Sequence, residues 1–181
     1  MSRTIRLIEW KEKMNMLIRF SWLFTLLFIH WYSSMGQQVL FTIERSLNED
    51  QIVYFLHLNE NGLPKKGEPI SLKWLDNEKS GGLVPVNWIK KKFGYGLDII
   101  QQEEDKVNFK FVSYDKKVFT LKKDASGNYG VFGKINDKRM KIRHIYLKME
   151  GGTFWNPNIT EVAVMGYHEL ANTHVKVTFN P

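Results

Sequence analysis

The sequence predicts an all-β fold: an antiparallel meander of about nine or ten strands that closes as a barrel or a curled sandwich, with one short helix near residues 84–93. Three observations carry that expectation. Short runs rich in Val, Ile, Phe, Tyr and Thr recur between clusters of Gly, Asn, Asp and Pro, as strands do between turns. Within several runs apolar and polar residues alternate, which puts one face on a core and the other in water. A single stretch instead places its apolar residues three or four apart, the helical period.

In chain order, Val39–Arg45 and Gln51–Leu58 are the first two strands, separated by the polar turn 46–50. Residues 59–67, with two glycines and a proline, make a loop. Pro69–Leu75 follows as a strand, with Ile70, Leu72 and Trp74 on one face and Ser71 and Lys73 on the other. After the loop 76–82 comes the helical stretch. Its apolar positions are Leu83, Val86, Ile89 and Phe93; Pro85 suits a first turn, and Lys90–Lys92 before Gly94 suit a C-terminus.

The second half is more uniform. Leu97–Gln102, Lys106–Tyr114, Lys117–Lys123, Asn128–Ile135, Arg139–Met149, Thr160–Tyr167 and Thr173–Phe179 read as strands. Turns are expected at Asp115-Lys116, at 124–127 and at Asn136-Asp137. Many sequential antiparallel strands around one core must hide their edges, by closure or by folding into two layers.

Ahead of the strands, basic residues precede the apolar run 20–31, and Ser34-Met35-Gly36 offers small residues for cleavage. The expectation is a signal peptide over 1–36, with Met14 or Met16 as possible true starts, and a single β-rich domain over 37–181. A run of about a dozen apolar residues is short of the roughly 20 that a spanning helix needs. Export to the periplasm or envelope follows, the alternative being an inner-membrane anchor through 20–32. Membrane contact is then expected only through that segment.

Of the formal net charge of +7, five basic residues against two acidic ones in the first 36 account for +3, leaving +4 for the rest. An excess that small, spread among acidic neighbours, argues against specific nucleic-acid binding. The chain has no cysteine, which excludes a disulfide framework, a thiolate nucleophile and a lipidated cysteine. Stability rests on the core, and the absence suits a bacterial periplasmic protein better than a small eukaryotic secreted one.

Catalytic signatures are scarce. His57, His144, His168 and His174 are too far apart for a recognised zinc spacing, and no metal site or cofactor is expected. No Gly-x-Ser-x-Gly elbow occurs, and neither Gly81-Gly82 nor Gly151-Gly152 has the context of a phosphate loop. Catalytic residues stay unknown at this level. Two segments exceed simple strand alternation: 90–96, where aromatics sit between glycines able to take positive φ, and 150–157, where a carboxylate, a Gly pair, two aromatics and Asn-Pro follow a long strand. Aromatics beside polar groups suit a sugar, peptide or amphipathic ligand; a barrel corner or bulge plugged by Phe154 and Trp155 is the structural reading.

Residues 41–45 with Asn48, 69–74 with Trp74, 91–96 with Tyr95, 111–114, and 150–155 resemble, in that order, the bacterial family catalogued as domain of unknown function DUF4833. Members carry an N-terminal signal, a tryptophan strand, an Ala-Tyr-Gly step and a Gly-Gly-Thr-Phe-Trp segment; here Gly94 stands in place of the alanine. The resemblance spans nearly the whole mature chain and implies no activity.

The expectation is therefore a ligand-binding or interaction module of the cell envelope, its partner an unknown small molecule, a glycan or an envelope protein. Arg45 offers a planar anion clamp, Tyr95 and Trp155 a stacking surface, and Glu150 with Thr153 hydrogen-bonding direction. One alternative is a metal-independent hydrolase or lyase of an envelope polymer, pairing Glu150 with Tyr95 or a lysine. The other is a structural envelope subunit.

Overall fold

One long strand organises the sheet. A computed structural model describes residues 37–47, 51–76, 82–153 and 156–181; the signal-like segment 1–36, with its apolar run 20–31 and the alternative anchor 20–32, and Trp155 lie outside the described residues. Eleven strands follow in chain order: β1 (Val39–Arg45), β2 (Gln51–Leu56), β3 (Ile70–Asp76), β4 (Gly82–Pro85), β5 (Leu97–Gln102), β6 (Val107–Phe111), β7 (Tyr114–Lys123), β8 (Tyr129–Ile135), β9 (Lys138–Gly152), β10 (Pro157–His168) and β11 (His174–Phe179). Among the described residues, no helix is long and apolar enough to cross a membrane.

The 15-residue β9 pairs along one edge with β10, from Met140 to Gly152. Its other edge is shared: β8 takes Lys138–Ile142 and β1 takes His144–Leu147. Two four-stranded arms, β1 to β4 and β8 to β5, thus leave the same edge of β9, and β11 extends the opposite side through β10. The sheet has to curl, because neighbouring strands twist and the two arms share one edge. The result is an all-β curled half-barrel, as the strand pattern predicts. Neighbouring strands are antiparallel except β1 and β9, which run parallel with Thr42 opposite His144 and Ile43 opposite Ile145. A pairing between residues about a hundred positions apart leaves no local trace in sequence.

Between the arms lies an aromatic cluster. Phe41 of β1 and Tyr54 of β2 stack at 4.2 Å, and Phe111 of β6 meets both edge-on at 5.9 and 6.0 Å. Phe119 extends the cluster, meeting Phe111 edge-on at 5.1 Å. These rings are buried together with Ile52, Val107, Leu121, Val131, Met140 and Ile142, the inward positions of alternating strands. Full burial of each large apolar side chain contributes about 1.5–3 kcal/mol. Polar links also cross between arms: Gln38 donates from its amide to the Tyr129 carbonyl at 2.8 Å, and Gln102 does so to Pro64 at 3.1 Å.

Two local expectations shift. The helical segment lies at 88–95, as α1 (Trp88–Lys90) running into one π-helical turn over Lys91–Tyr95, while Leu83 to Pro85 belong to β4. Pro85 has no N–H to donate, which an edge strand tolerates, and Asn87 stops the strand by accepting from the Lys90 N–H at 2.8 Å as an N-cap. The turn expected at Asp115-Lys116 is instead Val112-Ser113, flanked by the paired residues Phe111 and Tyr114. The Val112 N–H donates to the Gly96 carbonyl at 3.0 Å, which holds this turn against the end of the helical segment. At Asn136 and Asp137 both φ angles are positive, 44° and 64°, as a two-residue hairpin turn requires.

Candidate functional site

The register across four strands builds the floor of a cavity. Ile43, Ile145 and Val164 are paired neighbours on β1, β9 and β10. One step along, Arg45, Leu147, Val162 and Phe179 form a row over β1, β9, β10 and β11. Met149 and Ile159 pair one step further. Because alternate residues share a face, these rows present an apolar surface on the inner side of the curl.

The opposite wall comes from the other arm and the helical segment. Phe93, Gly94 and Tyr95 contribute from the π-helical turn; Phe111, Ser113, Tyr114, Lys117 and Phe119 from β6, its turn and β7; and Ile135 from β8. The space between them is about 410 Å³ and partly open to solvent, within the range of small-molecule sites. Its lining is mostly apolar, with Arg45, Tyr95, Ser113, Tyr114 and Lys117 as the polar side chains. No acidic side chain lines it among the described residues, so the fixed side-chain charges there are cationic.

A second layer sets the positions of Arg45 and Tyr95. The Arg45 guanidinium lies over Trp74 at 4.9 Å from the ring centre and over Tyr95 at 5.8 Å. Trp74 and Tyr95 meet edge to face at 6.0 Å, and the Lys90 ammonium sits 4.0 Å from the Trp74 ring centre. Planar guanidinium on aromatic faces keeps its charge while its N–H edge stays directed in plane. The tryptophan strand read from sequence thereby supports the site instead of lining it.

Gly96 ends the helical segment, and its role differs from the one the sequence suggests. Its φ is −66°, an ordinary value. What requires glycine is space, because a Cβ there would collide with the backbone carbonyl of Lys91.

Of the sequence-derived candidates, Arg45 and Tyr95 come together at the cavity. Glu150 and Thr153 do not join them. Glu150 follows Met149 on β9 and faces the other way, exposed and 3.5 Å from Lys148, while its carbonyl accepts from the Asn158 amide at 3.0 Å. The Thr153 hydroxyl accepts from the Asn156 N–H at 3.1 Å, closing the turn into β10. The glycines before it serve that turn: Gly151 and Gly152 have φ of 83° and 89°, and a Cβ at Gly152 would sit 2.6 Å from the Asn156 oxygen. Sequence reading misses Lys117, Ser113 and Tyr114, whose signal is weak because β7 carries extra residues between Tyr114 and Phe119 opposite β6.

Away from the cavity, Thr42 Oγ1 and His144 Nδ1 are 2.7 Å apart and His144 Nε2 lies 3.4 Å from Glu44. This chain of contacts ties β1 to β9 across their parallel pairing. No cluster of three or more metal-ligating side chains occurs among the described residues.

Fold and site together define a curled all-β domain with a partly open, mostly apolar cavity that Arg45 and Lys117 line. The chain belongs to the family described as Domain of unknown function (DUF4833), whose profile matches residues 41–177. No curated protein and no solved structure matches it. Residues 41–45, 91–96 and 111–114, three of the segments that carry the family resemblance, contribute to the cavity lining, and Trp74 of a fourth supports it.

Proposed function

We propose that the domain is a binding module of the cell envelope whose ligand is an amphipathic molecule with an apolar body and an anionic head. The observation that carries this reading is the cavity: 410 Å³ of mostly apolar lining in which the charged side chains are Arg45 and Lys117. An apolar body displaces water from the rows of Ile, Leu, Val and Phe, contributing about 25 cal/mol per Å² buried. The head takes charge-assisted hydrogen bonds from the two cations, with the Tyr95, Tyr114 and Ser113 hydroxyls as neutral partners. A neutral sugar would leave most of this lining uncompensated, so a glycan fits the cavity less well.

Placement in the envelope is supported by the basic-then-apolar N-terminal run and the cysteine-free composition. The hydrolase or lyase reading draws less support, since Glu150 lies outside the cavity, apart from Tyr95 and exposed beside Lys148.

Titration with anilinonaphthalene sulfonate, an anionic amphiphile that brightens in apolar surroundings, tests the reading. The native domain binds the dye saturably, a long-chain carboxylate displaces it, and Ile159→Trp, which fills the cavity from a half-buried position, abolishes both effects with the fold intact. Equal dye binding by Ile159→Trp overturns it.

A further inference from the structure

Six of the eleven exposed large hydrophobic residues among those described fall within 83–100: Leu83, Val84, Trp88, Phe93, Ile99 and Ile100. Trp88 is 67% exposed and Phe93 51%. Residues 83 and 84 belong to β4 and residues 99 and 100 to β5, the outermost strands of the two arms, and the helical segment connects them. Isolated exposed apolar side chains are ordinary, but this density in one stretch is not.

Within it the charge of 83–97 is one-sided, and the acid Asp98 follows on β5. From Leu83 to Leu97 there is no Asp or Glu, and Lys90, Lys91 and Lys92 stand in a row between Trp88 and Phe93. Lys92 has its ammonium 5.3 Å from the Phe93 ring centre, so a cation and an apolar ring are presented together. Among the described residues, Glu68 lies 3.4 Å from Lys91 with both side chains half exposed, and Lys90 lies over Trp74. Exposed Trp and Phe flanked by lysines suit the boundary of a bilayer, where rings enter the headgroup layer and ammonium groups meet anionic phosphates.

We infer that the segment 83–100, centred on Trp88, Lys91, Lys92 and Phe93, docks the domain on an anionic phospholipid surface. This contact is separate from any made by residues 20–32, and it stands whether or not the cavity is filled. Since Phe93, Gly94 and Tyr95 also line the cavity, docking would bring that wall of the site to the membrane surface. A second copy of the chain is the weaker occupant. Edge pairing through β4 or β5 would meet Pro85, which cannot donate, and a lysine-rich surface of its own sign.

The chain contains no cysteine, so one introduced thiol reports one place. Full-length protein carrying Trp88→Cys, labelled with an environment-sensitive fluorophore, is mixed with vesicles of phosphatidylcholine or of phosphatidylcholine with phosphatidylglycerol. Ser126→Cys, in the exposed turn before β8, serves as the control. The expected result is a blue shift and brightening at position 88 with phosphatidylglycerol vesicles only, and none at position 126. Adding Lys91→Gln and Lys92→Gln weakens the interaction about tenfold or more, although residues 20–32 are unchanged. The inference is overturned by an unchanged label at position 88, by an equal response at both positions or with neutral vesicles, by insensitivity to the lysine changes, or by a vesicle-free response that grows with protein concentration.

Discussion

The hydroxyl of Tyr54, buried in the aromatic cluster of β2, donates to the backbone carbonyl of Tyr95 at 2.7 Å. One bond thus joins the core between the arms to the end of the helical segment that walls the cavity. Removing it leaves a carbonyl with one fewer donor while the rings still stack, so Tyr54→Phe is expected to cost about 1–2 kcal/mol in chemical denaturation. Burial, with a smaller contribution from Tyr95, raises the Tyr54 pKa well above the ordinary 10.0. The folded state therefore keeps the proton where the unfolded chain releases it, and stability falls as pH rises beyond about 10. Denaturation at alkaline pH should show a shallower fall in Tyr54→Phe than in the native chain.

Gly96 and Gly127 separate two reasons for glycine. At Gly127 φ is +80° with open space around a Cβ, so Gly127→Ala pays only the conformational cost of about 1–2 kcal/mol. At Gly96 the backbone is ordinary and the added methyl runs into the Lys91 carbonyl, which side-chain movement cannot relieve. Gly96→Ala is expected to lower stability by more than Gly127→Ala, about 2–4 kcal/mol, and to weaken dye binding in the cavity; thermal denaturation of the two variants side by side checks the order.

Asp124 organises the turn between β7 and β8. Its carboxylate accepts from the Ser126 and Asn128 N–H groups at 2.9 and 3.0 Å and pairs with Lys141 of β9 at 2.6 Å. The Lys141 hydrogen bond, with the two backbone donors, holds its pKa below the ordinary 3.8. Because the folded value is depressed, this stabilisation is present above the unfolded value and is lost as pH falls through the folded one. Asp124→Ala should cost about 1–3 kcal/mol at neutral pH, and the deficit should shrink at strongly acidic pH in denaturation curves.

Arg45 lines the cavity, where the proposed ligand would present its anionic head. Arg45→Gln keeps length and polarity but removes the charge, and a lost charge-assisted bond of about 1.5–3 kcal/mol corresponds to at least tenfold weaker binding. Calorimetric titration with a long-chain carboxylate and with the corresponding alcohol checks this: the carboxylate should lose affinity and the alcohol should change little.

Much of the fold is legible because strand alternation is local. Val39–Arg45 and Leu97–Gln102 have the limits that the sequence pattern predicts. The parallel register of Thr42 with His144 is not legible, since it depends on how two arms share one edge of β9. Leu83 to Pro85 mislead for a physical reason: a helical spacing of apolar residues also fits an edge strand followed by a capped turn, and Asn87 decides between them. At the site, chemistry identifies Arg45 and Tyr95, while Glu150 and Thr153 share their polar character without sharing the cavity. Cavity lining by Leu147, Met149 and Ile159 resembles any core position until register places them in rows.

The most direct measurement is the native mass spectrum of the protein purified from the envelope of a host expressing the full gene, beside Ile159→Trp prepared in the same way. A filled cavity gives the polypeptide mass plus a component that organic solvent removes, apolar and acidic on analysis, and missing from Ile159→Trp. A bare mass for both proteins, together with no saturable binding of long-chain carboxylates, contradicts a ligand site in this cavity.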